Sequence, residues 1–189
     1  LGGSTYIATA IEGPGVIRQT GTHRRVVLGE YFRPSEGVSA RVRDIADAMK
    51  AADIHAEAVA DARHTVWEKF TYLAPFAAFT GAARLPIGPL WSDDYIQQMF
   101  LDAVEEVADV ARAHDVKLPA DHRSRVFEYA IKLPPSTRSS LLIDLSQGKR
   151  IEVEALQGSV VRRAARVGVR TPIMAGLYPG LEPHPNGMP

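Results

Sequence analysis

From residue 70 to residue 83 the chain has no charged side chain: Phe70, Tyr72, Leu73, Phe76 and Phe79 are interspersed with alanines, threonines and Pro75. A stretch that is apolar on nearly every face cannot serve as a surface helix, so any fold of this chain has to wrap other elements around it. Asp61 stands where an N-cap belongs, and the predicted helix runs from there to about residue 80. Pro75 removes the hydrogen bond to the carbonyl of Thr71, which predicts a kink and a spare backbone acceptor. Kinks of this kind line pockets in some proteins and serve packing alone in others. Lys69 lies just ahead of the apolar stretch, on one helical face with Leu73 and Phe76. Its ammonium either reaches solvent along its aliphatic stem or sits in a cavity beside a partner. In the second case desolvation lowers its pKa, by up to ~3–5 units on full burial, and makes it a usable general acid near neutrality.

The beginning of the chain follows a different period. Residues 5–11, 15–18 and 25–28 are short β-prone runs, punctuated by Gly13-Pro14-Gly15 and Thr20-Gly21-Thr22. Three short strands do not bury a core alone, so they read as the edge of a sheet whose remainder lies upstream. Leu1 in place of an initiator methionine fits a chain that begins inside a longer one. Gly13-Pro14-Gly15 reads as a hairpin turn and not as a dinucleotide fingerprint, because Arg18 stands where the third glycine belongs.

From residue 35 onward the apolar spacing is helical. Ser35 and Glu36 start a helix with Val38, Val42, Ile45 and Met49 on one face, and residues 55–59 make a short strand. Ser92-Asp93-Asp94 starts a helix that turns Ile96, Phe100, Val104, Val107 and Ala111 inward. Further helices span about 119–131, 139–146 with Gly148 behind it, and 152–167 closed by Gly168, while Pro172 opens the last. Gly158 and Ser159 leave room for a close helix approach in the 152–167 segment. The expected division is a β unit over 1–32, a helical domain over 33–182 and a proline-rich flexible tail over 183–189.

Two further segments bear on chemistry. Ser139 and Ser140 lie at a helix start, where a hydroxyl and free N–H groups either cap the helix or hold a substrate carboxylate. Glu152 opens the next helix, where the helix dipole alone is reason enough for a carboxylate. Asp144 reads as structural, and Arg162, Arg163, Arg166 and Arg170 as a solvated face. Lys plus Arg and Asp plus Glu number 22 each, so net charge gives no footprint for nucleic acid or an anionic membrane. No apolar run is long enough for a membrane span, and a cytoplasmic protein is the default expectation. The chain has no cysteine, and its six histidines form neither an i, i+4 pair nor H-E-x-x-H, so no metal site is expected.

Taken together, these segments resemble the ketopantoate reductase family. Ser139-Ser140-Leu141-Leu142-Ile143-Asp144-Leu145, Gly148 and Ile151-Glu152-Val153-Glu154-Ala155-Leu156-Gln157-Gly158 are similar to the family's S-S-M-L-x-D-L, G and T-E-I-D-x-L-N-G string, which continues into Gly168-Val169-Arg170-Thr171-Pro172. Trp67-Glu68-Lys69 and Pro86-Ile87-Gly88 resemble W-x-K and P-x-G. Glu12-Gly13-Pro14-Gly15 and Gln19-Thr20-Gly21 are similar to the last strands of its Rossmann domain. The resemblance implies a mainly α fold: a multi-helix C-terminal domain like that of 6-phosphogluconate dehydrogenase-type enzymes, behind a β remnant of the Rossmann domain. It implies NADP-dependent reduction of a 2-oxo acid, ketopantoate or a relative, with NADP held mainly by the chain's own N-terminal Rossmann domain. A homodimer is the accompanying assembly. Lys69 falls on the catalytic lysine that protonates the nascent alkoxide, Glu152 on the glutamate that holds that lysine, and Ser140 on the serine that binds the substrate carboxylate. Leu73, Ala77, Ile87 and Gln157 stand where the family commonly has asparagines, which implies a different fit for the acid's side chain. The alternative is a non-catalytic oligomerisation or ligand-binding paralogue of the same fold.

Overall fold

The computed structural model describes residues 1–33 and 36–186, apart from the side chains of residues 20–23. The chain divides into two compact units, Leu1–Lys69 and Phe70–Pro189, at a point inside its longest helix.

The first unit is built on a three-stranded sheet in the order β1-β2-β3. Strands β1 (Gly2–Gly13) and β2 (Val16–Glu30) form an antiparallel hairpin closed by Pro14 and Gly15, the turn expected at Gly13-Pro14-Gly15. Gly15 takes φ +74°, a conformation open to glycine and costly to most residues. The expected break at Thr20-Gly21-Thr22 does not occur, and the backbone stays in β2. Tyr6 pairs with Arg25 and Ala8 with Thr20, so a bulge in β2 absorbs the extra residues.

Helix α1 (Ala40–Ala51) then returns the chain to β3 (His55–Asp61), which runs parallel to β2. Such a crossover needs a connection of a dozen or more residues, which a helix usually supplies. Val42 and Ala46 from α1 close over Leu28 and Ala56, with Val26, Val38, Met49 and Ala58 around them. α1 starts later than Ser35 and Glu36: Ser39 takes the N-cap position, Glu36 lies in a bend, and Ser35 falls outside the described residues. The Ser39 hydroxyl does not cap the helix, because it donates to Glu30 Oε1 at 2.7 Å. With Arg41 on the same carboxylate, Glu30 is held down to about 2.

Helix α2 (Ala62–Ala83) begins in the first unit, where Asp61 Oδ1 accepts from the Arg63 N–H at 2.8 Å. It continues through Pro75 without a break. In the second unit Thr71, Ala74 and every residue from Phe76 to Gly81 are buried, as the uncharged stretch requires. Around this segment stand α3 (Ile87–Trp91), α4 (Asp94–Ala113), α5 (His122–Ala130), α6 (Ser140–Ser146), a π-helical segment (Glu154–Gly158), α7 (Ser159–Val167), α8 (Pro172–Leu177) and a 3-10 turn (Tyr178–Gly180). Beyond Asp61 no strand occurs among the described residues, so the chain is mainly α behind a short β unit.

α3 was not legible in advance, since Gly88 and Pro89 sit inside it. Pro89 falls in the first turn, where its missing N–H costs nothing. The Ile87 and Gly88 N–H groups donate to the carbonyls of Thr137 and Pro135, each at 2.9 Å. A Cβ on Gly88 would lie 2.8 Å from Pro135 O, so the P-x-G glycine is what lets these two segments meet. Asp93 caps α4 as expected, through the N–H groups of Tyr95 and Ile96. α5 starts at His122 and not at residue 119, and Arg123 ties it to Leu101 O and Asp102 of α4. Gly158 serves no helix approach: the nearest atoms to a Cβ there belong to the Glu154–Arg162 pair. α8 lacks a cap of its own, and Glu106 of α4 supplies one by accepting from the Ile173 and Met174 N–H groups at 2.8 and 3.0 Å. Burial pushes the Glu106 carboxyl up, and those two N–H groups pull it back. Near the end of the described chain Pro185 O accepts from the Ile151 N–H at 2.9 Å.

Candidate active site

Lys69 is the last residue of the first unit and is only partly buried. It stands between its two expected arrangements, partly buried and with a partner that is not a carboxylate. The ammonium does not extend freely into solvent, and among the described residues it has no carboxylate partner. Nζ donates to Thr5 O at 2.7 Å and lies 5.3 Å from the centroid of the Tyr6 ring. Burial pushes the Lys69 amine below its ordinary value. These partners come from β1, with Thr5 64 positions away in sequence, where no local pattern marks them.

Ser140 and Glu152 belong to the second unit. Two adjacent serines divide the work at the start of α6. Ser139, buried, accepts from the Leu142 N–H at 3.1 Å and is 2.7 Å from Thr80 Oγ1. The Thr80 hydroxyl spends its proton on Phe76 O, so the Ser139 hydroxyl must donate to Thr80. The resulting chain, from Leu142 N–H through Ser139 and Thr80 to Phe76 O, pins α6 to α2. Ser140 is the first residue of α6, is exposed, and has no hydrogen-bond partner among the described residues. Ser139→Ala should therefore cost roughly 1–3 kcal/mol in urea denaturation, by losing a cap and a buried partner. Ser140→Ala should change stability by less than about 0.5 kcal/mol. A larger loss at Ser140 than at Ser139 would reverse the assignment.

Glu152 does not open a regular helix. Residues 151–153 precede the π-helical segment, with Ile151 and Val153 buried on either side of it in one cluster with Leu141, Leu145 and Leu156. Burying both neighbours turns the Glu152 side chain outward, where it is exposed. Its carbonyl accepts from the Leu156 N–H at 2.9 Å. Among the described residues its carboxylate has no partner. The acidic residue that the first helical turn uses structurally is Glu154, bonded to Arg162 and Tyr178, and both hold its carboxyl below the usual range.

Gln157 is buried completely, and its Nε2 donates to Ala74 O at 3.1 Å. This acceptor sits immediately before Pro75. A carbonyl cannot donate, so the amide is oriented with Oε1 away from it, and Oε1 has no partner among the described residues. Leu73 packs against the Ala77–Leu141–Leu145 cluster, and Ile87 is buried as the first residue of α3. Three of the four positions that depart from the resemblance, Leu73, Ala77 and Ile87, are thus filled by packed apolar side chains, and the fourth by the buried Gln157 amide.

The sequence pattern described as "Ketopantoate reductase PanE/ApbA C terminal" matches residues 61–182. The chain belongs to this family. A 2-dehydropantoate 2-reductase of Halobacterium salinarum is 30% identical over 177 residues, which cover 94% of this chain and 57% of that protein. The solved PanE/ApbA family ketopantoate reductase of Ralstonia eutropha is 28% identical, with a TM-score of 0.83 over 95% of this chain and 57% of that one. A D-mandelate dehydrogenase solved with NADH has the same fold at 19% identity, with a TM-score of 0.81 over 96% of this chain and 60% of its own. The chain spans just under three-fifths of the first two proteins and three-fifths of the third.

Proposed function

We propose that this chain is the substrate-binding and proton-donating part of a nicotinamide-dependent reductase that converts a 2-oxo acid, ketopantoate or a relative, into the 2-hydroxy acid. Residues 1–32 belong in this reading to an N-terminal Rossmann domain, and residues 33–182 to the helical domain. The observation that carries it is the partly buried Lys69 ammonium, held by a backbone carbonyl in a family whose name is that of a reductase. Reducing the ketone adds a hydride to the carbonyl carbon and a proton to its oxygen. The proton is the part this chain's residues handle: Lys69 gives it to the oxygen as the alkoxide forms. Ser140, exposed and uncommitted at a helix start, binds the substrate carboxylate. Glu152 is assigned to the reaction on the family resemblance alone.

The residues described do not fit the phosphates of a dinucleotide. Such a cradle needs a glycine turn at a helix N-terminus. The one Gly-rich turn between strands here, at Pro14 and Gly15, joins two antiparallel strands. NADP is therefore assigned to the N-terminal domain, and the NADH of the D-mandelate dehydrogenase makes NAD the competing choice. Assay of the full-length protein by nicotinamide absorbance, with NADPH and NADH against a panel of 2-oxo acids, tests the reading. Turnover of at least one acid is expected, and Ser140→Ala should raise KM with kcat nearly unchanged. No turnover of any 2-oxo acid with either cofactor would favour the non-catalytic paralogue.

A further inference from the structure

The Lys69 ammonium lacks a carboxylate partner among the described residues, and burial disfavours its charge. Two groups on β1 act the other way. The Thr5 carbonyl accepts from Nζ at 2.7 Å, and the Tyr6 ring centroid lies 5.3 Å from it. The carbonyl is present whatever side chain stands at position 5, so the ring is the part of this cradle that the sequence specifies. A second cation shares that ring, with Arg25 Cζ 5.1 Å from the same centroid. The strand register explains why: Tyr6 pairs with Arg25 across β1 and β2, and Arg25 with His55 across β2 and β3. Glu57, two residues beyond His55, accepts from Arg25 Nε and Nη2 at 3.1 and 2.6 Å. Arg25 is thereby paired with a carboxylate, whereas among the described residues Lys69 has the carbonyl and the ring. On α2 itself, Glu68 faces His64 at 3.9 Å.

We propose that Tyr6 is a positioning residue for Lys69, its ring face and the Thr5 carbonyl together holding the ammonium charged and in one place for proton delivery. The proposal rests on the reading of Lys69 as the general acid. A lysine side chain has four rotatable bonds, and a general acid must present its proton within hydrogen-bond reach of the reacting oxygen. One N–H is fixed on Thr5 O, the ring covers another side, and the remaining hydrogens are available to substrate.

The experiment uses the full-length protein with Tyr6→Leu, which removes the ring, and Tyr6→Phe, which keeps it. Tyr6→Leu should lower kcat by roughly 5- to 30-fold, the range of a partly desolvated cation–π contact, with KM little changed. Reduction needs Lys69 protonated, so activity falls as pH rises through the lysine pKa. Losing the ring should shift that alkaline limb to lower pH by about 0.5–1.5 units. Tyr6→Phe should restore both to within about twofold of the parent. A readout independent of turnover is the pH dependence of Lys69 acetylation by acetic anhydride, followed by mass spectrometry. It should show the same downward shift in Tyr6→Leu. An unmoved alkaline limb and unmoved acetylation profile in Tyr6→Leu would overturn the proposal, and so would a change in KM alone. If Lys69→Ala abolishes turnover while Tyr6→Leu leaves Lys69 unmoved, the cradle is wrong and the general acid stands. Full turnover in Lys69→Ala overturns both.

Discussion

In the full-length protein Lys69→Ala is expected to lower kcat/KM for 2-oxo acid reduction by roughly 10²–10⁴-fold, the range of a lost general acid. The loss should appear mainly in kcat, because the proton is needed as the alkoxide forms and not when the acid binds. The alkaline limb of the pH profile should vanish with it. In the parent that limb lies below the ordinary lysine value, since burial pushes Lys69 down. Glu152 offers a second check. If it acts on the reaction only through Lys69, Glu152→Ala lowers the rate by itself but adds little to Lys69→Ala. Steady-state kinetics on the two single variants and the double variant decide the matter. A Lys69→Ala enzyme with turnover within threefold of the parent would end the general-acid reading, and full additivity would end any action of Glu152 through Lys69.

How much of this was legible in the sequence differs by element. The uncharged stretch after Lys69 specified a helix buried on all sides, because no other environment accommodates fourteen such residues without a charge. Asp93 and Asp61 marked helix starts correctly, since a short acidic side chain ahead of an apolar stripe has one common use. The start of α1 was placed too early, and Ser39, which takes the N-cap position, spends its hydroxyl on Glu30, nine residues back on β2. α3 was missed because its N–H groups are satisfied by carbonyls of Thr137 and Pro135, far along the chain. At the candidate site the same boundary holds. Lys69, Ser140 and Glu152 were singled out by their places at helix starts and beside the apolar stretch, and the roles proposed for them come from motif resemblance. Tyr6, the Ser139–Thr80 chain and the Gln157–Ala74 bond arise from contacts between segments 59 to 83 residues apart, which spacing does not encode.

Phe100→Ala should destabilise the helical unit by about 3–5 kcal/mol, a large part of a typical domain's total. Phe100 is 1% exposed, and its ring meets three others edge-on: Tyr72 and Phe79 of α2 at 6.2 and 5.6 Å, and Trp91 of α3 at 5.1 Å. It is thus the point at which α4 joins both other helices. The cost should sit toward the upper end of the range, because the cavity left behind is walled by rigid rings that cannot fold into it. Tyr72 is further fixed by Phe76 and Tyr129, at 5.2 and 5.0 Å. Phe100→Leu refills much of the space and should cost on the order of 1 kcal/mol. Ile143→Ala, at a position 41% exposed, should stay within about 0.5 kcal/mol. Urea denaturation followed by tryptophan fluorescence measures all three, with the midpoint moving and the slope unchanged if the native packing is what is lost. A Phe100→Ala loss no larger than that of Ile143→Ala would mean that the ring cluster does not hold α2, α3 and α4 together.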